Sequence, residues 1–260
     1  MTDEYVRFLD RTSTRPGERH HALDLLELGP GQRCLDLGCG VGEDARATAE
    51  AFGCHVVGID LSPGMASVAR SRSAGRPGST FLAADGGRLP FLDGAFDAAW
   101  VKRTLMHVAN PATVMGEIVR VVRPGGRVVA VEPDLEVLLL DSGMLEVTRT
   151  VLARHAARYA NPWAGRQLGR LMLDAGLTDV RVAPEVVRIP DLAAAEDTLR
   201  LLSLARSAAG AGVLTPQEAA AWEEDLRARA DRGLFACHAL LFVAAGRVSA
   251  RGGAAASRTR

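Results

Sequence analysis

The chain of 260 residues lacks the features that mark several common classes of protein. Its four cysteines include no C-x-x-C pair, which argues against zinc ribbons and redox dithiols, and we expect no metal site. Acidic and basic side chains number 31 each, and no basic stripe alternates with aromatic residues, so a nucleic-acid partner is not expected. Lys102 is the only lysine; every other basic residue of this count is an arginine.

Long apolar runs are missing as well. The first ten residues carry four charged side chains and no apolar core of signal-peptide length. The longest apolar runs, such as residues 239–245, are far too short to span a bilayer. We therefore expect a soluble, cytoplasmic protein with no membrane partner. With 48% hydrophobic and 24% charged residues, the composition is that of a globular protein with a sizeable core.

The first half of the chain alternates between strand and helix patterns. Strands are predicted over residues 33–37, 54–60, 79–84, 95–102 and 127–132, and helices over residues 42–52, 62–73 and 111–122. Ser62 is the predicted N-cap of the second helix, and Pro124–Gly126 is a predicted turn. This alternation favours a parallel sheet with helices on both faces, and right-handed crossovers then give a doubly wound α/β fold.

The second half is less regular and richer in helix patterns. Helices are predicted over residues 143–159 and 164–175 and between residues 191 and 232, and strands over residues 178–189 and 234–245. Thr215 and Glu218 match a capping box at the start of one helix. Residues 247–260 lack apolar periodicity and are predicted to be a disordered tail. No interdomain linker is evident, which predicts one domain over residues 1–246.

A glycine-rich turn directly after the first predicted strand is the most informative segment. Gly38, Gly40 and Gly42 occupy alternate positions, which lets the chain turn tightly and lets a ligand approach the backbone. The turn leads into a helix N-terminus, where free N–H groups favour a negatively polarised group. Asp60 ends the second strand, where a carboxylate can accept hydrogen bonds from a ribose diol.

The charges around this turn discriminate between nucleotide ligands. Residues 40–45 also fit a degenerate dinucleotide fingerprint, G-x-G-x-x-A. Three carboxylates surround the turn, however, from Asp36, Glu43 and Asp44, and together they would repel a pyrophosphate. They suit a ligand with a cationic end, such as an amino-acid ammonium or a sulfonium. A nicotinamide oxidoreductase on the same fold is therefore the weaker alternative.

Five segments, in order, resemble the motifs of class I S-adenosylmethionine-dependent methyltransferases. They are Leu35–Gly42 (LDLGCGVG), Gly58–Met65 (GIDLSPGM), Ala84–Phe91, Phe96–Val108 and Glu117–Glu132 (EIVRVVRPGGRVVAVE). The similarity lies within residues 33–133 and is closest to the small-molecule branch, as in ubiquinone/menaquinone-biosynthesis and natural-product methyltransferases. It implies a Rossmann-like seven-stranded sheet, with helical lid segments over about residues 134–162 and 191–232.

The resemblance also implies roles for individual residues on the cofactor side. The loop that includes Cys39 would hold the methionine part of S-adenosylmethionine, and Asp36 would take its ammonium. Asp60 would bind the ribose hydroxyls, with Leu61 and Met65 against the adenine. For Met65, packing in the core is the alternative.

Two further strand ends complete the implied cofactor site. Asp85 would accept the adenine amine, with a backbone N–H from Gly86, although Asp85 also fits an Asx turn. Lys102 and Arg103 would line the methionine and methyl end. These two cations could also favour an acidic or phenolate acceptor, with solvated charge as the alternative.

The identity of the methyl acceptor is inferred partly from a motif that the sequence lacks. No Asn/Asp-Pro-Pro-Tyr segment follows the fourth strand, which argues against a nucleobase or glutamine amide as acceptor. His107 is the best candidate for a base, because it follows that strand near the methyl end and imidazole titrates near neutrality. A histidine that caps the loop is the alternative. His155, Tyr159 and Asp134 are secondary candidates, for which surface or packing roles are the alternatives.

We therefore expect a methyltransferase that moves a methyl group from S-adenosylmethionine to an O, N or C atom of a small molecule and releases S-adenosylhomocysteine. Secondary metabolism or quinone-like biosynthesis fits this resemblance. The alternative is a protein of this fold that keeps the cofactor structurally and catalyses another reaction, such as a cyclisation. His20 and His21 would border the cofactor mouth or be solvated helix residues, and both monomer and homodimer stay open.

Overall fold

Seven strands form one sheet in residues 22–250, the part of the chain that the computed structural model describes. They are β1 (Arg33–Leu37), β2 (His55–Asp60), β3 (Ser79–Ala83), β4 (Phe96–Lys102), β5 (Val122–Leu140), β6 (Leu177–Ile189) and β7 (Cys237–Val248). Their order across the sheet is β3-β2-β1-β4-β5-β7-β6. The first five strands pair in parallel, and β7 is antiparallel to both β5 and β6. The predicted α/β sheet is confirmed.

Helices connect these strands and cover both faces of the sheet. They are α1 (Glu43–Phe52), α2 (Pro63–Arg72), α3 (Pro111–Val121), α4 (Leu145–Ala156), α5 (Ala164–Asp174), α6 (Leu192–Leu199), α7 (Leu201–Gly210) and α8 (Pro216–Asp231), with a 3₁₀ turn at Leu105–His107. The predicted caps are confirmed. Ser62 Oγ accepts from the Met65 N–H, and Thr215 and Glu218 form the complete capping box of α8. Within the described residues, no helix has the length and hydropathy that a membrane span requires.

Alternation along the strands separates the core into two layers. Leu35 and Val101 pack on one face of the sheet, against α3 and α5. Cys34 and Trp100 pack on the other face, with α1 residues such as Ala45. The parallel strands are therefore buried on both sides, as expected for this architecture. Their carboxyl ends meet at one edge, where the chain order reverses between β1 and β4, and such an edge forms a ligand crevice.

A third apolar cluster lies beyond this sheet core. The far ends of β5 and β7 extend past β4 and support α4 and helices α6–α8. Trp222 of α8 is fully buried there, and its indole N–H donates to Thr148 Oγ1 of α4 at 2.8 Å. The helical layer predicted for residues 191–232 is thus present, and it rests on strand extensions.

The first predicted lid segment is partly wrong, because β5 runs on to Leu140. Residues 134–140 pair with β7 as a strand, for example Asp134 with Leu240. Proline has no backbone N–H to donate to a neighbouring strand. Pro133 is tolerated in β5 because the neighbouring strand β4 ends at Lys102, before it would need that hydrogen bond. Helix α4 covers only Leu145–Ala156 of the rest of the segment, so the helix predicted to reach residue 159 ends earlier.

Four smaller predictions also differ from the structure. Pro124–Gly126 is part of β5, as a bulge where the pairing with β4 shifts register and Gly125 has a φ of 77°. Arg247 belongs to β7, so the tail predicted from this residue begins too early; residues 251–260 lie outside the described part. The last strand begins at Cys237 instead of residue 234, and Arg200, with a φ of 59°, separates α6 from α7 where no break was predicted.

The hydrogen bond between Thr148 and Trp222 gives a stability test of the helical layer. Thr148→Val should lower the free energy of unfolding by about 1–3 kcal/mol, because it leaves the buried indole N–H without an acceptor. Urea denaturation measures this loss. Thr150→Val is the matched control on the same helix and should cost about 0.5 kcal/mol or less, because Thr150 is only partly buried. Equal losses in the two variants would contradict the assigned contact.

Candidate functional site

The glycine loop between β1 and α1 packs tightly against the end of β4. Gly38, Gly40 and Gly42 have φ values of 75°, 52° and 77°, in the left-handed region that favours glycine. A Cβ atom on Gly38 would lie 2.0 Å from Thr104 Oγ1, so a larger residue does not fit. The loop is thus held against the β4 end, as its predicted role requires.

Backbone N–H groups of this loop already have acceptors within the chain. The N–H groups of Gly38 and Cys39 both donate to the Ile59 carbonyl, at 2.7 and 2.9 Å. The Gly40 N–H donates to Asp60 Oδ2 at 2.9 Å. These donors are not directed at a phosphate, which agrees with the argument from charge against a dinucleotide.

Asp60 connects the loop to the start of α2. Besides Gly40, it accepts a hydrogen bond from the Ser62 N–H, at 2.8 Å to Oδ1. Each carboxylate oxygen can accept more than one hydrogen bond, so Asp60 keeps capacity for a ribose diol. Leu61 is 75% exposed beside it, whereas Met65 is 3% exposed. Leu61 is therefore open to a ligand, and the burial of Met65 favours its role in the core.

Asp36 is a buried carboxylate at the end of β1, 3% exposed. Burial and the nearby charge of Asp44 raise its pKa well above the usual value, and the charge of Lys102 opposes this rise. Asp36 Oδ2 is buried without a hydrogen-bond partner among the described residues. A carboxylate in this situation gains most from a cationic ligand, and the predicted ammonium site fits it.

Lys102 extends toward the same acids. Its side chain is only 8% exposed, and Nζ lies 3.7 Å from Asp44 Oδ2. The alternative of a solvated charge is therefore wrong for Lys102. Sequence reasoning placed Lys102 near the methionine end but did not pair it with Asp44, because the two residues are 58 positions apart (102 minus 44).

The β3 end contributes Asp85 and Gly86. Asp85 is exposed, and its Oδ1 accepts from the Gly87 N–H at 2.8 Å, which is the Asx turn considered above. A Cβ atom on Gly86 would lie 3.2 Å from Leu37 Cδ1, so this loop packs closely on the end of β1. The Asx turn uses only part of the accepting capacity of the Asp85 carboxylate, which can still accept a hydrogen bond from another donor. A contact between Asp85 and the adenine therefore stays a prediction.

Glu132 holds the turn that follows β4, and sequence reasoning missed it. Its carboxylate is fully buried and accepts from the N–H groups of Thr104, Leu105 and Met106, at 2.8, 2.7 and 3.3 Å. Burial raises the pKa of Glu132 to about 7, and these hydrogen bonds oppose the rise. The available signal was an acid that ends the apolar run of β5, RVVAVE.

His107 ends this turn and lies in a row of aromatic rings. Its ring centroid is 5.2 Å from that of Tyr159, which is 5.4 Å from that of His155. Partial desolvation lowers the pKa of His107, and the Arg103 cation lowers it further. The structure thus brings three predicted acceptor-side candidates together. His20 and His21 lie outside the described residues.

His155 is the buried member of this row. Its Nδ1 donates to the Leu199 carbonyl at 3.0 Å, which ties α4 to the end of α6. Burial lowers its pKa to about 4, so the ring is neutral at pH 7. Asp134, by contrast, is buried and accepts two hydrogen bonds from the Arg166 guanidinium. This contact agrees with the packing role that was considered as the alternative for Asp134.

A comparison with protein families matches this region. Residues 35–130 match a family model described as a methyltransferase domain. The matched residues contain the glycine loop, Asp60, Asp85, Lys102 and His107.

Relatives of known sequence extend the similarity. An uncharacterised 37.1 kDa protein of a Streptomyces fradiae transposon is 39% identical over 230 residues, which cover 86% of this chain and 66% of that protein. A demethylmenaquinone methyltransferase of Beutenbergia cavernae is 41% identical over 114 residues, 44% of this chain and 46% of the relative. The chain thus spans just under two thirds of the first relative and under half of the second.

Solved structures share the fold over most of the described chain. Geranyl diphosphate C-methyltransferase from Streptomyces coelicolor A3(2) superposes with a TM-score of 0.55 at 21% identity, covering 89% of this chain and 79% of that chain. The cyclase SpnF gives a TM-score of 0.55 at 21% identity, with 90% and 80% covered. At these identities the likeness concerns the fold. By their family match, residues 35–130 form a methyltransferase domain, and the solved structures show the fold of methyltransferases over most of the described chain.

Proposed function

We propose that the protein transfers a methyl group from S-adenosylmethionine to an O, N or C atom of a small molecule. The observation that carries this proposal is the buried Asp36 carboxylate, which lies beside the glycine loop and has an oxygen without a partner among residues 22–250. A ligand with an ammonium end satisfies it. The loop amides, already bonded within the chain, disfavour the pyrophosphate of a dinucleotide.

The proposed cofactor contacts follow the strand ends. The loop of Gly38, Cys39, Gly40 and Gly42 would lie under the methionine part, with Asp36 on the ammonium. Asp60 would bind the ribose hydroxyls, and Leu61 would cover the adenine. Asp85 and the Gly86 N–H would bind the edge of the base, and Arg103 would border the methyl end.

The chain's contribution to chemistry is chiefly alignment. When bound, the cofactor would supply a methyl group that is already activated by the positive charge on sulfur. The residues of the crevice then have to hold the acceptor atom in line and exclude water. The turn of residues 104–107, held by Glu132, forms the wall between the cofactor loop and the row of rings at Tyr159.

We propose His107 as the base for acceptors that are protonated at working pH. Its lowered pKa keeps the imidazole neutral near pH 7, and a neutral imidazole can take a proton from a hydroxyl or amine. Tyr159 packs against the ring and restricts its orientation. An acceptor that is already deprotonated needs no base.

The acceptor is proposed to be small and partly apolar, as in secondary metabolism or quinone-like biosynthesis. The helical layer of α4 and α6–α8 would enclose it, and Arg103 would favour an acidic or phenolate group. We further propose a cytoplasmic protein with a single domain that extends through the end of β7 at Val248, monomeric or dimeric, without a nucleic-acid or membrane partner.

A second candidate is a reaction without methyl transfer. The fold is shared with a [4+2]-cyclase, so a protein of this architecture can catalyse a reaction other than methyl transfer. Mass spectrometry of candidate acceptors separates the two functions, since methyl transfer adds 14 Da. The methyltransferase proposal predicts this gain together with S-adenosylhomocysteine.

Asp60 gives the most direct test of the proposed cofactor site. Asp60→Ala should weaken S-adenosylhomocysteine binding by about 100-fold or more, because it removes a charged hydrogen-bond acceptor for the ribose diol and releases Gly40. Isothermal titration calorimetry measures the change.

Asp97→Ala is the matched control for this test. Asp97 also accepts a backbone N–H, from Arg33 at 2.8 Å, but at the amino ends of β1 and β4, away from the crevice. Its loss should leave affinity unchanged within about twofold. No binding to the unmodified protein, or equal losses in both variants, would contradict the proposed site.

Glu132 gives a test of the turn that carries His107. In the folded protein its pKa rises from 4.5 to about 7, so the folded state binds this proton more tightly than the unfolded state does. Its stabilising contribution is complete below about pH 4.5 and is lost as the pH rises to about 7. Between pH 5 and 8, the unfolding free energy should fall by on the order of 2–3 kcal/mol relative to Glu132→Gln.

Urea denaturation at each pH provides this comparison. Glu136→Gln, an exposed acid on the same strand, is the control and should keep the pH dependence of the unmodified protein. Curves for the unmodified protein and Glu132→Gln that stay parallel across this range would contradict the buried position of Glu132.

A further inference from the structure

We propose that His155 determines acceptor specificity, with its Nε2 accepting a hydrogen bond from an uncharged hydroxyl group of the methyl acceptor. An ammonium group in the same position is disfavoured. This role rests on the proposed function and narrows its substrate class to molecules that carry a hydroxyl group apart from the atom that is methylated. It follows from the hydrogen bond, the burial and the charged neighbours of His155.

The tautomer of His155 is set by its contact with α6. Nδ1 lies 3.0 Å from the Leu199 carbonyl oxygen, which can only accept, so Nδ1 carries the proton. Burial lowers the pKa of His155 to about 4, with a further contribution from the Arg158 cation, so the ring is uncharged at pH 7. Nε2 of such a ring has a free lone pair and is a hydrogen-bond acceptor. The same low pKa makes the ring unsuited to act as a base near neutral pH.

The Nε2 atom of His155 has no donor among residues 22–250, although it is buried. The whole residue is only 1% exposed, and a buried acceptor without a hydrogen bond is unfavourable. Nδ1 and Nε2 lie on opposite sides of the imidazole ring, so Nε2 faces away from Leu199 and α6. A group that donates to Nε2 therefore approaches from the side of the ring that α6 does not cover.

The row of rings connects this acceptor to the proposed base. His107 is exposed at one end, Tyr159 is partly buried in the middle and His155 is buried at the other end. Burial and the Arg103 cation lower the pKa of His107, and the Asp60 carboxylate opposes them, so the His107 end is the one near the cofactor. A flat molecule that packs on the Tyr159 ring can present its reacting group to His107 and a hydroxyl group to His155. Because Nε2 is covered, we expect the Tyr159 side chain to rotate when the acceptor enters.

The charges along the row favour a hydroxyl group over an ammonium. Burial raises the pKa of Tyr159, and the cations of Arg158 and Arg103 both oppose this rise, so both act on the middle of the row. Glu132 is an acid near Arg103, but its pKa of about 7 leaves it only partly charged at neutral pH. An ammonium beside Nε2 would be repelled by the Arg158 cation, whereas a hydroxyl group donates a hydrogen bond without carrying charge.

Three phenols that differ only in the para substituent provide the experiment. The para-hydroxybenzyl alcohol carries a second hydroxyl group, para-ethylphenol has a methyl group in its place, and para-hydroxybenzylamine has an ammonium. Calorimetry uses the full chain saturated with S-adenosylhomocysteine. The alcohol should bind about 10-fold more tightly than para-ethylphenol, the effect of one hydrogen bond to a buried acceptor. The amine should bind more weakly than either.

His155→Asn removes the acceptor and keeps the structural hydrogen bond. The asparagine amide N–H takes about the position of Nδ1 and can still donate to Leu199, but no atom replaces Nε2. The variant should lose the preference for the alcohol and keep its affinity for para-ethylphenol within about threefold. His55→Asn is the matched control, because His55 begins β2 at the amino end of the strand, away from the crevice. It should keep the preference in full.

Three outcomes would overturn the role of His155: equal affinities of the unmodified protein for the alcohol and para-ethylphenol, no binding of any of the three phenols, or a preference that persists in His155→Asn. Binding of S-adenosylhomocysteine is measured first and separately. If the unmodified protein does not bind it, the proposed function itself fails.

The unmodified protein offers a second measurement that needs no variant. In ¹⁵N-histidine-labelled protein, the ring signals of His155 should stay constant through neutral pH, because its pKa is about 4. They should show the proton on Nδ1 and a bare Nε2. The para-hydroxybenzyl alcohol should shift the Nε2 signal clearly more than para-ethylphenol does at equal saturation. Equal shifts, or a proton on Nε2, would overturn the role of His155 even if His155→Asn did not fold.

Discussion

A buried carboxylate with an unmet hydrogen-bonding oxygen, that of Asp36, is the constraint on which the site depends. Burial of an anion is unfavourable unless a cation or donors compensate it. In the described chain the compensation is partial, because Lys102 opposes a pKa rise that burial and Asp44 produce. The two acids therefore favour a ligand that brings positive charge.

The fold places this carboxylate where several strand ends can reach one ligand. The loop after β1 is bonded to β2 through the Ile59 carbonyl and packs against Thr104 after β4. Thr104 is in turn held by Glu132, in the middle of β5. One continuous set of contacts thus links the glycine loop to the turn that carries His107.

Much of this arrangement could be predicted from the sequence, because its signals are local. Strands and helices are indicated by their alternating patterns over short stretches of sequence. Two helix starts are indicated by single residues or short motifs, Ser62 and the capping box at Thr215. The glycine loop and Asp60 are also recognisable by spacing. Residues 134–140 misled the prediction because their apolar run, DLEVLLL, fits a helix or a strand equally well, and pairing with the distant β7 decides between them.

Contacts between distant residues explain the other omissions. In the sequence, Glu132 has the pattern of an ordinary strand residue, and only the fold brings the turn after β4 within hydrogen-bond distance of it. Lys102 has the pattern of a solvated charge, and only the fold buries it beside Asp44 of α1. The row from His107 to His155 depends on how the segment after α4 folds back, where the Asn161 N–H donates to the Met106 carbonyl at 2.9 Å. Such contacts follow from the tertiary structure and have no local pattern.

The most direct measurement of the central claim is a crystal structure of the full chain with S-adenosylhomocysteine. The account predicts electron density across the glycine loop, with the ribose at Asp60 and the ammonium at Asp36. Density for the ligand elsewhere, or a loop closed over Asp36 by the protein's own side chains at saturating ligand, would contradict it.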